Sequence, residues 1–353
     1  MTASLPASGE RLSAQLGLTE RVLAGPRMRK LLGVVEDGLD RVEDTLAREL
    51  RVSDALADAT TRYLYEAGGK RVRPMLTLLT AQLGEGTTPN VIAGATALEM
   101  THLGSLYHDD VMDGADVRRG VPSAHAVWGN SVAILTGDLL FSRASQLMAQ
   151  IGERAIRLQA DTFERLVLGQ MHETVGAQAG DDPVQFYLKV LADKTGSLIA
   201  ASAQAGILFS DAPSEYRLPM LEYGEKVGIA FQLLDDVIDL SPNPDETGKV
   251  PGTDLRAGVP TMPYLLLGRA SDPASRALKA TIDDGVARIA DGADPGILDE
   301  AMTHLRDDPA TAETRRQAYE WADAAVAALD PIPSGVVRDA LVKLSHVIVD
   351  RSS

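Results

Sequence analysis

The chain contains no cysteine, and aromatic residues make up only 4% of its 353 residues. Without cysteine there can be no disulfide, no thiolate nucleophile and no cysteine-based zinc site. Six histidines are present, but none stands in an HExxH or comparable metal-binding spacing. Several common kinds of catalytic and structural site are therefore excluded.

Positive charge is also scarce, because Lys and Arg number 34 against 50 Asp and Glu, which gives a formal net charge of −16. Such an acidic protein is a poor partner for nucleic acid or for an anionic membrane surface. No apolar run approaches about 18 residues, and the N-terminus lacks the charged-then-apolar pattern of a signal peptide. We therefore expect a cytoplasmic protein that binds no nucleic acid and has no transmembrane segment.

Apolar residues recur at helical spacing through most of the chain, whereas strand alternation is missing. Polar, glycine-containing loops follow two of the helical stretches, at 114–120 and 245–263. The pattern predicts an all-α protein, with a loosely ordered arm over 1–26 and a single domain over 27–353.

Two acidic motifs of the form DDxxD each end an apolar helical stretch. On a helix, the first and last carboxylates of such a motif lie one turn apart and repel each other unless a cation lies between them. Carboxylates without His or Cys favour Mg²⁺, which shares its coordination with water and substrate phosphates. Two independent acidic helix ends are the alternative, although negative charge there opposes the helix dipole. Our hypothesis is that two or three Mg²⁺ ions are held by Asp109, Asp110 and Asp113 together with Asp235, Asp236 and Asp239.

Cationic residues concentrate in a few places in this acidic chain. Gly68-Gly69-Lys70-Arg71-Val72-Arg73-Pro74 opens a predicted helix, and an anion would meet backbone N–H groups, the helix dipole and guanidinium groups there. A solvated basic turn is the alternative interpretation. The other cationic candidates are Arg118, Arg119, Lys194 and Lys249.

Five segments resemble, in this order, motifs of the trans-polyprenyl diphosphate synthase family: GGKRVRP, HDDVMD with RRG, DKTGSLIA, FQLLDDVID and GKVPGTDLRAGVPT. The resemblance implies the all-α isoprenoid synthase fold, a single bundle of about ten core helices around a deep cavity with additional short helices, and a homodimer. It also implies a transferase that joins an allylic diphosphate head-to-tail with isopentenyl diphosphate. The product would be an all-trans polyprenyl diphosphate, a lipid that could bring the enzyme to the membrane surface.

The resemblance assigns a role to each matching residue. The six aspartates would bind Mg²⁺. All of them except Asp239 would also carry the catalysis, together with Lys194, Thr195 and Gln232. Isopentenyl diphosphate would be bound by Lys70, Arg73, His102 and Arg119, and the allylic diphosphate by Arg118, Lys194 and Lys249. The chain departs from the family at Gln170, where an acidic residue is common, and at Val259, where lysine is common.

Two small residues, Gly104 and Ser105, stand where family members with short products carry bulky aromatics. An open tunnel there, with its floor near Leu139, Phe141 and Met171, predicts a long-chain product of six or more isoprene units for a quinone side chain. Close helix packing could also explain the small residues. The alternatives for function are a shorter-chain geranylgeranyl diphosphate synthase, a catalytic or regulatory subunit of a heteromeric synthase, a terpene cyclase and a metal-dependent hydrolase.

Overall fold

The structure, a computed structural model, describes residues 25–241 and 251–350. The predicted N-terminal arm lies outside these residues except for its last two, and Pro26 already begins the first helix. The all-α prediction is confirmed, since the described strands form only one short hairpin, within the loop predicted over 114–120 and just beyond it. The prediction of a single domain remains a prediction.

Helices follow one another along the chain with short connections. In chain order they are α1 (Pro26–Glu49), α2 (Ala55–Glu66), α3 (Val72–Ala81), α4 (Pro89–Met112), α5 (Ala124–Trp128), α6 (Asn130–Ile151), α7 (Glu153–Val175), α8 (Pro183–Leu191), α9 (Ser197–Phe209), α10 (Arg217–Asp239), α11 (Thr253–Arg256), α12 (Met262–Leu267), α13 (Pro273–Ala290), α14 (Asp299–Asp307), α15 (Pro309–Ala328) and α16 (Val336–Val349). The hairpin pairs β1 (Val117–Arg118) with β2 (Val121–Pro122). Short 3₁₀ turns lie at Ser214–Tyr216 and Pro295–Leu298.

Several helices begin at a side chain that accepts from the free N–H groups of the first turn. Asp54 accepts from the Ala57 N–H at the start of α2, and Thr88 accepts from the Val91 N–H at the start of α4. Such caps satisfy donors that the helix itself leaves unpaired. They fix where α4 begins, and hence where its acidic end falls.

The chain divides into two compact units. The first comprises 25–166, Ser197–Gly224 and Ala328–Leu344. Within it α4 is buried on nearly every face and packs against α1, α3, α6 and α9. A helix that is apolar or small all round belongs in a core. The end of α4, which carries the first aspartate motif, is therefore held by its neighbours.

The second unit comprises Val167–Gly196 and Glu225–Ala327, together with the residues from Ser345 onward. The apolar spacing predicts one continuous helix over 184–210. The structure interrupts it, because a π-helical segment at Ala192–Gly196 separates α8 from α9. Buried apolar side chains form one cluster from Leu240 to Ala310, which includes Leu267, Ile282 and Leu305. Among the described residues, no helix is both long and apolar enough to span a membrane.

Candidate active site

The first aspartate motif occupies the last turn of α4. Asp110 is fully buried, and its Oδ1 accepts from Arg118 Nε at 2.6 Å. Burial raises the pKa of Asp110, and the charge of Arg118 opposes that shift. Its second oxygen, Oδ2, is buried and accepts no hydrogen bond. Asp109 is half-buried and Asp113 is exposed. The three carboxylates at this helix end therefore differ in their exposure to solvent.

The chemistry of this first motif fits a hard divalent cation. Asp109 and Asp113 lie one helical turn apart, and Asp110 carries a buried oxygen that needs a positive partner. Across 25–241 and 251–350, no three His, Asp or Glu side chains are placed to hold a metal by themselves. An ion bound here would take its other ligands from water and substrate, as Mg²⁺ commonly does.

The second aspartate motif ends α10 in the second unit. The Asp236 carboxylate accepts from the Tyr187 hydroxyl at 2.9 and 3.0 Å and from the Met262 backbone N–H at 2.9 Å. Burial raises the pKa of Asp236 well above its ordinary value, while these hydrogen bonds lower it. Asp235 and Asp239 are half-buried on the same helix end. The Asp239 carbonyl accepts from the Gly252 N–H at 2.8 Å, which joins the helix end to the following loop.

Both motifs share one feature that sequence reasoning missed. The middle carboxylate, Asp110 or Asp236, is buried and paired within the protein, whereas the two outer carboxylates are more exposed. Tyr187 stood in no motif, so the sequence offered no signal that its hydroxyl would reach Asp236. The direct coordination of Mg²⁺ by all six aspartates remains a prediction.

The Tyr187 hydroxyl is expected to stabilise the second motif. Tyr187→Phe removes the hydrogen bond to the buried Asp236 carboxylate and should lower the free energy of unfolding by about 1–2 kcal/mol. Urea denaturation measures the change. Tyr319→Phe is the matched control, because the Tyr319 hydroxyl bonds Asp350 at an exposed position. Equal effects of the two substitutions would contradict the assignment.

A cationic cluster forms at the start of α3 in the first unit. Arg71 is buried in a left-handed conformation with φ of 54° and pairs with Glu43 and Glu99. Arg73 is half-buried, and its Nε has no acceptor. Burial lowers the pKa of Arg73 to about 10. Lys70 is exposed beside them.

Two further residues complete this cluster. Arg119 donates to the carbonyl oxygens of Leu64, at 2.8 Å, and Gly68. Burial and the surrounding arginines hold the pKa of His102 well below its ordinary value, so its imidazole is neutral at neutral pH. Gly69 has φ of +155°, and a Cβ there would lie 2.6 Å from Arg71 Nη1 and 3.1 Å from Arg119 Nη2. The structure thus places Lys70, Arg73, His102 and Arg119 in one unit, together with Arg71. Their binding of isopentenyl diphosphate remains a prediction.

Lys194 and Thr195 lie in the π-helical segment of the second unit. Such segments are frequent at functional sites, because the extra residue leaves backbone groups outside the regular helical pattern. Lys194 forms an ion pair with Glu173 on α7. Gln170 is buried, and its Oε1 has no donor. The carboxylate that pairs with Lys194 is therefore Glu173, three residues after Gln170.

The remaining predicted residues are Gln232, Lys249 and the two small residues proposed to control product length. Gln232 is half-buried on α10, one turn before Asp236. Lys249 lies outside the described residues. Gly104 does not border open space, because a Cβ there would lie 3.1 Å from the Phe141 ring and 3.2 Å from the Gly137 carbonyl oxygen. Close packing of α4 on α6 thus accounts for this glycine, and the expectation of an open tunnel at Gly104 is corrected. Ser105 is buried.

Comparisons with known proteins agree with this arrangement of helices and motifs. The family model described as polyprenyl synthetase matches residues 54–292. The chain belongs to this family, and its enzyme class is that of the prenyltransferases.

Individual relatives cover nearly the whole chain. Nonaprenyl diphosphate synthase of Mycobacterium tuberculosis is 43% identical over 318 residues, covering 90% of this chain and 93% of that protein. A polyprenyl synthase from Caulobacter crescentus, solved with calcium and isoprenyl diphosphate, has a TM-score of 0.83 at 29% identity and covers 92% and 98% of the two chains. Geranylgeranyl pyrophosphate synthase from Corynebacterium glutamicum, also solved with calcium and isoprenyl diphosphate, has a TM-score of 0.79 at 38% identity and covers 93% and 98%.

Proposed function

We propose that this chain elongates an allylic diphosphate head-to-tail with isopentenyl diphosphate and releases diphosphate. One observation supports the proposal: two consecutive arginines have different partners. Arg118 pairs with Asp110 of the aspartate motif, whereas Arg119 donates to Leu64 and Gly68 beside the cationic cluster. Two neighbouring anion sites suit an enzyme with two diphosphate substrates, whereas a cyclase or a hydrolase needs only one.

The proposed reaction begins when the allylic C–O bond breaks and the bonding electrons leave with the diphosphate. Mg²⁺ bound at the aspartates would neutralise the charge on that leaving group. Arg118 and Lys194 add fixed positive charge at the same stage. In this reaction the π-helical carbonyls, the Thr195 hydroxyl and the Gln232 amide oxygen would face the resulting carbocation. The alkene of isopentenyl diphosphate attacks it, and the departing diphosphate accepts the proton that is lost.

The six aspartates of the two motifs need not all play the same part in binding Mg²⁺. We propose that the outer carboxylates, Asp109, Asp113, Asp235 and Asp239, contact two or three Mg²⁺ ions. Asp110 and Asp236 are buried and would hold the helix ends in position through their hydrogen bonds. The second oxygen of Asp110, Oδ2, would still be available to an ion. Support comes from the calcium ions named in two solved relatives, because calcium also takes oxygen ligands.

The product is proposed to be long, with six or more isoprene units, as the name of the Mycobacterium tuberculosis relative suggests. A geranylgeranyl product is the second candidate, because the Corynebacterium glutamicum enzyme is 38% identical. Incubating the purified chain with Mg²⁺, radiolabelled isopentenyl diphosphate and primers of several lengths, followed by product sizing, separates the two. The absence of any condensation product from the chain alone would reject the proposed function and favour a subunit that needs a partner.

Ser105 tests the control of product length. Ser105→Phe places a ring one turn before Asp109 and should shorten the product by several isoprene units, because the growing chain extends past this turn. Ser142→Phe, at an exposed position on α6, should leave product length unchanged. Sizing of radiolabelled products gives the result, after a thermal melt confirms that each variant folds. An unchanged product from a folded Ser105 variant would remove this residue from the tunnel.

We also propose a homodimer located in the cytoplasm, with the lipid product drawing the enzyme to the membrane surface. Ile134 and Leu135 on α6 are 41% and 65% exposed, and an apolar pair of this kind suits a contact with a second copy. Light scattering of the purified chain measures the molar mass and hence tests the dimer.

A further inference from the structure

The guanidinium groups around the Gly68-Gly69 loop need an opposing charge. Arg71, Arg73 and Arg119 are each shielded from water to a degree that lowers the stability of their charged forms. Like charges brought together in a buried place also repel one another. The three positive charges can stay together only if a nearby carboxylate compensates for their repulsion and for the cost of burying them.

Glu99 is the buried carboxylate that pairs with Arg71, and its charge also acts on the neighbouring Arg73 and Arg119. It lies on α4, is 2% exposed, and its Oε1 accepts from Arg71 Nη1 at 3.2 Å. Its charge raises the pKa of each of the three arginines, against the lowering caused by burial. Glu43, the other partner of Arg71, is more exposed and contacts Arg71 Nε from the side at 2.6 Å.

The buried donors show that the cluster is incomplete without a further anion. Arg71 Nη2 and Arg73 Nε are both buried and have no acceptor. A buried donor without an acceptor is costly. A diphosphate has enough oxygens to satisfy both, whereas Glu99 would repel such a ligand if it touched it. Glu99 must therefore act through the arginines.

We propose that Glu99 is a positioning residue, whose buried carboxylate holds Arg71, Arg73 and Arg119 together as the binding site for the diphosphate of isopentenyl diphosphate. This inference rests on the proposed function. It assigns Glu99 no contact with the substrate. Its effect should be confined to one of the two substrates, because the proposed function assigns other cationic residues to the allylic diphosphate.

The test replaces Glu99 by glutamine, which keeps the shape and removes the charge. The KM for isopentenyl diphosphate should rise about tenfold, whereas the KM for the allylic diphosphate and kcat should change less than about twofold. Glu99→Asp retains the charge on a shorter side chain and should raise the KM for isopentenyl diphosphate by only about threefold. Glu36→Gln, at another buried glutamate in α1, controls for neutralising a buried carboxylate and should leave both KM values unchanged.

The outcomes are distinguishable. If the wild-type chain forms no condensation product, the proposed function fails. If the wild type is active but Glu99→Gln changes both KM values equally, or neither, Glu99 has only a structural role and the inference is overturned. Should Glu99→Gln not fold, Glu99→Asp decides: its shorter side chain should still raise the KM for isopentenyl diphosphate alone, and unchanged values would reject the inference.

Discussion

Replacing Asp109 by asparagine is expected to lower kcat by about a thousandfold while the helical content of the chain is retained. The substitution keeps the side-chain shape and removes one carboxylate charge from the last turn of α4. In the proposed reaction that charge binds Mg²⁺, without which the leaving diphosphate is poorly stabilised. Asp235→Asn should produce a loss of similar size, because it removes the corresponding carboxylate of the second motif.

Steady-state rates with radiolabelled isopentenyl diphosphate, taken over a range of Mg²⁺ concentrations, measure this effect. A variant that has lost a metal ligand should also need more Mg²⁺ for half-maximal activity. Asp116→Asn is the matched control, because Asp116 is an exposed aspartate of the loop that follows the same motif. If Asp109→Asn keeps more than about a tenth of wild-type kcat, Asp109 is not a metal ligand.

The second large effect is expected when the two neighbouring arginines are replaced one at a time. Each replacement should raise the KM for a different one of the two substrates. Arg118→Gln should raise the KM for the allylic diphosphate by about thirtyfold, because it removes a charge beside Asp110. Arg119→Gln should raise the KM for isopentenyl diphosphate by about the same factor. Each variant should change the other KM much less.

This division is measured by varying one substrate while the other is saturating. Arg157→Gln is the control, because Arg157 is an exposed arginine of α7 whose ion-pair partner, Glu153, lies on the same helix. Thermal melts of all three variants detect any loss of folding. If both arginine variants raise the same KM, the two cationic groups form one site, and the proposal of two adjacent diphosphate sites is wrong.

The sequence predicted most of the helices because their ends carry local signals. Asp54 and Thr88 begin α2 and α4 as side-chain caps, and apolar spacing defines the helices between the breaks. The grouping of Lys70, Arg73 and His102 was also predictable, although through family motifs and not through spacing alone. The π-helical turn at Lys194 was not, since one additional residue within a helix hardly disturbs the apolar pattern.

The differing roles of the aspartates within each motif were equally hidden. Asp109 and Asp110 are identical in type and adjacent in sequence, yet one is half-buried and the other is fully buried against Arg118. Only tertiary packing makes the burial of the two aspartates differ. The same is true of Gly104, for which the sequence allowed either an open tunnel or close helix packing, and the contact with Phe141 decides for packing at that position.

The hairpin that carries Arg118 and Arg119 has a consequence for repeated rounds of synthesis. The Cα atoms of consecutive residues are about 3.8 Å apart, a spacing that the peptide bond makes rigid. In the proposed reaction the two diphosphate-binding arginines are therefore anchored at neighbouring backbone positions, and this anchoring does not depend on the length of the hydrocarbon tail. Each product becomes the primer of the next round, with the same diphosphate group and a longer hydrocarbon tail. The same two arginines would therefore bind the diphosphate groups in every cycle.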